Sequence, residues 1–139
     1  MSLTRADYPL AETQPEKVIG QRGKTLAEIT LDAVLTGDIS MDDLRITPNA
    51  LLAQAEVARA VGRPTLALNF ERAAELVDVP QDIIMQTYEL LRPGRAKSRQ
   101  QLQDHAMLLR RDYKAEHIAR FIEEAADTYE PRGLFTFRF

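Results

Sequence analysis

The placement of proline limits what this chain can fold into more than any other feature. Proline lacks a backbone N–H and has a fixed φ, so it suits the first turn of a helix and breaks one further in. Thr47-Pro48, Pro64 and Pro80 each head a run whose apolar residues recur with helical spacing. The first run carries Leu51, Leu52, Ala55, Ala58 and Val61 and stops at Gly62, and the second carries Leu66, Phe70, Ala73, Ala74 and Val77. The third carries Ile84, Thr87, Tyr88 and Leu91 and ends at Pro93-Gly94. Together these spacings predict consecutive amphipathic helices, with alanines small enough to let neighbours approach closely.

The flanks extend the pattern. Ser98 and Gln101 form a capping-box pair ahead of Leu102, His105, Ala106, Leu109 and Tyr113. A last helix carries Ile118, Phe121, Ile122, Ala125 and Tyr129 and stops before Pro131. Upstream, Thr30 caps a short helix closed by Gly37, and Ser40 with Asp43 reads as a capping box for one more turn. No stretch alternates with period two long enough for a central strand, except Leu134 to Phe139. The expected fold is therefore all-α, a compact bundle of about five to six helices with an extended N-terminal arm. Residues 1–29 form the arm, polar and broken by Pro9, Pro15, Gly20 and Gly23; residues 30–130 form the helical domain. Residues 131–139 form an aromatic tail, with Phe135, Phe137 and Phe139 on one side if extended. That tail can dock on its own helices, add to a partner's sheet edge, or stay disordered.

Bulk properties narrow the function. A length of 139 residues suits one domain. A net charge of −3 and a pI near 5.4 argue against a protein built to coat nucleic acid or an anionic membrane. The absence of cysteine removes disulfides, thiolate nucleophiles and cysteine zinc sites. With short apolar runs and the polar start MSLTRADYP, neither a membrane span nor a secretory signal is expected, and the cytoplasm is the expected location.

A search for chemistry finds little. Gly20-Gln21-Arg22-Gly23-Lys24-Thr25 ends like a phosphate-binding loop, but its glycines are too close and no strand precedes it, so a structural turn is expected. His105 and His117 lie on successive helices with no histidine at i+3 or i+4; His105 is expected to be a half-buried, hydrogen-bonded residue. The neighbours Asp42-Asp43 and Glu123-Glu124 point about 100° apart on a helix and read as solvated faces. Ser40 and Ser98 serve as caps. No catalytic, cofactor-binding or metal-binding residue is expected on this chain.

One rival reading is a DNA-binding regulator. Phe70 to Arg95 has the outline of a helix-turn-helix, followed by Arg92, Arg95, Lys97 and Arg99. Against it, the residues placed to reach base edges are Gln81, Asp82, Met85 and Gln86, with no arginine or lysine among them.

A resemblance covers residues 7 to 95. Asp7-Tyr8-Pro9-Leu10-Ala11, Pro15-Glu16, Gly23-Lys24, Ile29-Thr30-Leu31 and Val34-Leu35 with Gly37 resemble the opening of the small (gamma) subunit of adenosylcobalamin-dependent diol and glycerol dehydratases. Arg45-Ile46, Gln54-Ala55, Asn69-Phe70-Glu71-Arg72-Ala73-Ala74-Glu75-Leu76 and Leu91-Arg92-Pro93 continue it in order. The resemblance implies a non-catalytic small subunit in a heterohexamer of two large, two medium and two small chains. It implies an enzyme that converts a 1,2-diol or glycerol to an aldehyde and water, with adenosylcobalamin and substrate held by the partner subunits. Neither nucleic acid nor membrane is an implied partner. The choice between propanediol and glycerol belongs to a pocket on another chain, and encapsulation in a protein-shelled microcompartment is left open. The N-terminal arm, anchored by Tyr8, Pro9 and Leu10, is the expected element for wrapping the large chain.

Overall fold

Two of the five long helices begin at a side-chain cap, Thr47 in one and Ser98 in the other. In a computed structural model describing residues 2–136, the Thr47 hydroxyl accepts the Ala50 N–H at 3.1 Å and Pro48 occupies the first turn. The described residues are all-α. Short helices α1 (Leu10–Thr13), α2 (Leu31–Leu35) and α3 (Met41–Leu44) precede α4 (Pro48–Ala60) and α5 (Pro64–Leu76). They are followed by α6 (Gln81–Leu91), α7 (Arg99–Tyr113) and α8 (Glu116–Tyr129). The chain divides into two units, one ending at Val77 and the other starting at Asp78.

In the first unit α4 and α5 form a helical hairpin. The chain reverses at Gly62, whose φ of 77° is open to glycine at little cost, and the Arg63 N–H caps the Ala58 carbonyl at 2.9 Å. Ala55, Ala58 and Ala67 are buried at the seam with Phe70 packed against them. Small side chains bring the helices close, and one aromatic fills the remaining space. Ala67, absent from the stripe read in the sequence, is fully buried here. Residues 3–29 run as short turns, with 3-10 segments at Arg5–Asp7, Pro15–Lys17 and Leu26–Glu28. The arm is tied to the hairpin where the Leu3 N–H donates to Glu56 Oε2 at 2.7 Å.

In the second unit α7 and α8 pack through Leu102, Leu109 and Ile122, which are fully buried. Their turn passes through Lys114 at φ 55°, and the Ala115 N–H bonds back to the Leu109 carbonyl at 3.2 Å, closing the end of α7. Polar clamps hold the hairpin at both ends. Arg99 reaches Asp127 and Glu130, while the Arg110 guanidinium spans Glu116 and Glu123 at 2.6 to 3.0 Å. Glu123, read in the sequence as solvated, is thus half-buried and paired. The Ser98 hydroxyl caps the Gln101 N–H as expected, but Gln101 Oε1 takes the Lys97 N–H, one residue earlier than a closed box requires.

His105, expected from the sequence to be half-buried and hydrogen-bonded, is hydrogen-bonded but more deeply buried, at 6% exposed. Thr87 Oγ1 lies 2.8 Å from the Ile83 carbonyl and 2.6 Å from His105 Nε2. Since the hydroxyl's single proton goes to the carbonyl, His105 must donate from Nε2, which fixes that tautomer. Burial lowers its pKa and keeps the ring neutral. The start of the tail differs from the extended form read in the sequence: residues 131–135 form turns, because Tyr129, Gly94 and Leu134 supply local partners. The Leu134 N–H meets the Tyr129 carbonyl at 3.0 Å and its own carbonyl accepts the Gly94 N–H at 2.7 Å. Phe135 meets Tyr129 edge to face at 6.2 Å. Phe137 and Phe139 lie outside the described residues.

Two outcomes follow from this packing. Leu102→Ala should lower unfolding free energy by about 2–5 kcal/mol in urea titration, whereas Thr47→Ala should cost about 1 kcal/mol. By NMR, His105 should titrate below its ordinary value of 6.5. Its folded pKa is depressed, so its contribution to stability is full above 6.5 and is lost as pH falls through the folded value.

Candidate subunit interface

The segment before α4 is organised by one buried carboxylate. Asp43 is only 3% exposed, so the sequence reading of Asp42-Asp43 as a solvated pair fails for its second member. The reason is the capping box: at the third position of α3, Asp43 turns back so that its Oδ2 accepts the Ser40 N–H at 2.8 Å. Its remaining capacity is taken by Arg22, whose Nε and Nη2 reach the two carboxylate oxygens at 2.9 and 2.8 Å. The hydrogen bond from Arg22 and then that from Ser40 hold the Asp43 carboxyl below the usual carboxylate range.

The same guanidinium donates to the Asp38 carbonyl at 2.6 Å, and Lys24 Nζ meets the Asp38 carboxylate at 2.9 Å. Gln21 Nε2 donates to the Ile46 carbonyl at 3.2 Å. The string that resembles a phosphate loop is therefore a turn, as expected, closed by an Ile19–Thr25 bridge with Gly23 at φ 83°. Its glycine at position 20 answers to close packing, since a Cβ there would lie 3.0 Å from the Asp43 carbonyl oxygen.

Alongside the exposed Asp32, Asp42 and Arg45, this framework presents a run of large apolar side chains to solvent. Leu31, Val34 and Leu35 share one face of α2 by their spacing, and Leu31 and Leu35 are 73% and 75% exposed. On α3, Met41 and Leu44 share a face, with Met41 72% exposed, and Ile46 follows. Scattered exposed hydrophobics are ordinary, but six within residues 31–46 are a contact surface in waiting. Tyr8 is likewise 69% exposed, while Pro9 and Leu10 are half-buried. A groove of about 950 Å3 opens between the arm and the α4–α5 hairpin.

Chemistry-bearing groups are not brought together in the same way. Among the described residues no group of three or more His, Cys, Asp or Glu could hold a metal ion. His105 is committed to Thr87, and Ser40 and Ser98 are spent at helix starts. Gln81, Asp82, Met85 and Gln86 on α6 are exposed. No helix of the described residues is long and apolar enough to cross a membrane.

Comparison with known proteins identifies the family. The model of the dehydratase small subunit matches residues 3–136. The chain belongs to the dehydratase small-subunit family. The propanediol dehydratase small subunit of Citrobacter freundii is 46% identical over 126 residues, covering 91% of this chain and 73% of that protein. That of Salmonella typhimurium strain LT2 is 45% identical over 127 residues with the same coverage. Nothing in these matches supports a DNA-binding regulator. The family match also runs past Arg95, where the sequence resemblance stopped.

Members of a small-subunit family act with partner chains, and the Arg22–Asp43 pair binds the segment that joins α2 to α3 through the Asp38 carbonyl and the Ser40 N–H. Asp43→Asn should leave the α7–α8 hairpin intact but speed hydrogen exchange at Gly20 and Ser40. Because the Asp43 pKa is depressed, its stabilising effect is full above 3.8 and is lost as pH falls through the folded value, which exchange measured across acid pH reads directly.

Proposed function

We propose that this chain is the non-catalytic small subunit of a propanediol or glycerol dehydratase, a hydro-lyase converting a vicinal diol to an aldehyde and water. The observation that carries the reading is 46% identity over 91% of the chain to a propanediol dehydratase small subunit. The outward apolar faces of α2 and α3 support it, since such faces suit a protein that works against a partner. In this reading the partners are large and medium subunits, two copies of each chain forming a heterohexamer. Residues 1–29 serve as the assembly arm, residues 30–130 as the body, and the tail at 131–139 as a further apolar contact.

Adenosylcobalamin would belong to those partner subunits, where it supplies radical chemistry for hydrogen abstraction. On this chain the buried imidazole of His105 is engaged with Thr87 Oγ1. No step is assigned to this chain. Its part is to cover apolar surface of the large subunit, so that association stabilises the folded assembly by mass action. A cytoplasmic location, free or inside a protein-shelled compartment, is the setting this implies.

Leu31→Glu combined with Leu35→Glu tests the reading. Co-expressed with the large and medium chains, the wild type should co-purify with them and sustain aldehyde formation from 1,2-propanediol. The double variant should fold alone with unchanged helicity yet recover less than about a tenth of the complex, as expected for losing two central apolar contacts. Failure of the wild type to co-purify would refute the assignment.

A further inference from the structure

The groove beside α4 and α5 has a charge at odds with its chain. Its lining is mostly apolar and includes Leu10 and Val18 of the arm, Val57 and Ala58 of α4, and Leu66 and Phe70 of α5. The charged residues lining it are Arg5, Lys17 and Arg63, all basic, and no acidic residue lines it among the described residues. Yet the whole chain has 21 acidic residues against 18 basic and a net charge of −3. Most other arginines are committed within the fold, such as Arg22 to Asp43, Arg59 to Glu71, Arg99 to Asp127 and Arg110 to Glu116. Arg5, Lys17 and Arg63 are exposed and are in none of the close ion pairs of the described residues, though the charge of Lys17 helps hold the Asp7 carboxyl down.

Resting on the small-subunit reading, we propose that this groove receives an amphipathic segment of the large subunit, apolar toward that lining and carrying Asp or Glu toward Arg5, Lys17 and Arg63. Three cations around an apolar trough select against a basic or neutral segment and favour one whose carboxylates flank its hydrophobic face. Thr47, Asn49 and Gln54, on the same lining, offer side-chain hydrogen bonds to a peptide backbone. A second copy of this chain meeting groove to groove would set the three cations against their own copies, which disfavours that symmetric pairing.

The experiment uses the full chain co-expressed with the large subunit from the same genome. Arg5→Glu, Lys17→Glu and Arg63→Glu combined should weaken capture of that subunit at least about tenfold, and wild-type capture should weaken as salt rises. The three side chains are exposed, so circular dichroism should show unchanged helicity. Independently, a photo-crosslinking residue at Leu66 should join a large-subunit peptide holding Asp or Glu beside apolar residues. Full capture by the triple variant, or crosslinking to a second copy of this chain or to a peptide lacking acidic residues, would overturn the inference. If the triple variant captures the large subunit while the Leu31 and Leu35 variant does not, the groove is refuted and the subunit assignment stands. A wild type that captures nothing overturns both.

Discussion

The ion pair between the exposed Arg22 guanidinium and the buried Asp43 carboxylate is the constraint on which the first unit's surface depends. A carboxylate removed from water must be paired and hydrogen-bonded, and Asp43 meets both demands, with the guanidinium on one side and the Ser40 N–H on the other. Because Arg22 also binds the Asp38 carbonyl, one side chain holds together a turn and two short helices that could not persist alone. Between α2 and α3 Ile39 is buried, while Leu31, Leu35, Met41 and Leu44 on the two helices are exposed. The polar contacts of Arg22 and Asp43 thus fix the turn and α3 beside an exposed run of apolar side chains.

Much of the fold was legible because helix starts are local events. Thr30, Ser40, Thr47 and Ser98 all cap where the sequence places them, and the prolines at 48 and 64 stand in first turns. The stripe Leu102, His105, Ala106 and Leu109 is buried as its period requires. What escaped the sequence is non-local. Arg22 and Asp43 are separated by 21 positions, and no periodicity marks such a pairing. The groove draws its lining from the arm, α4 and α5, so its basic rim has no linear signature. Asp43 was misread because adjacency to Asp42 suggested a shared fate, whereas position within a cap sent the two side chains to different environments.

Function was legible by a different route. Local chemistry offered only negatives, and the family came from ordered short matches in the first two-thirds of the chain, which the family comparison extends to residue 136. The two routes meet at the same residues. Leu31, Val34 and Leu35 belong both to the segments that carry the resemblance and to the face that the fold leaves uncovered. Residues without a partner inside their own chain are the ones whose identity an assembly would constrain.

The bond from the Leu3 N–H to Glu56 has a consequence for how such a chain meets its partners. It fastens the beginning of the arm to α4 within the isolated chain, so one wall of the groove exists before any encounter. Association then proceeds between preorganised surfaces, and the entropy of ordering some two dozen residues is charged to folding rather than to binding. An arm left loose would search a wide volume and dock slowly into its final register; a fastened one presents a finished contour, and the rate of encounter is governed by diffusion and orientation.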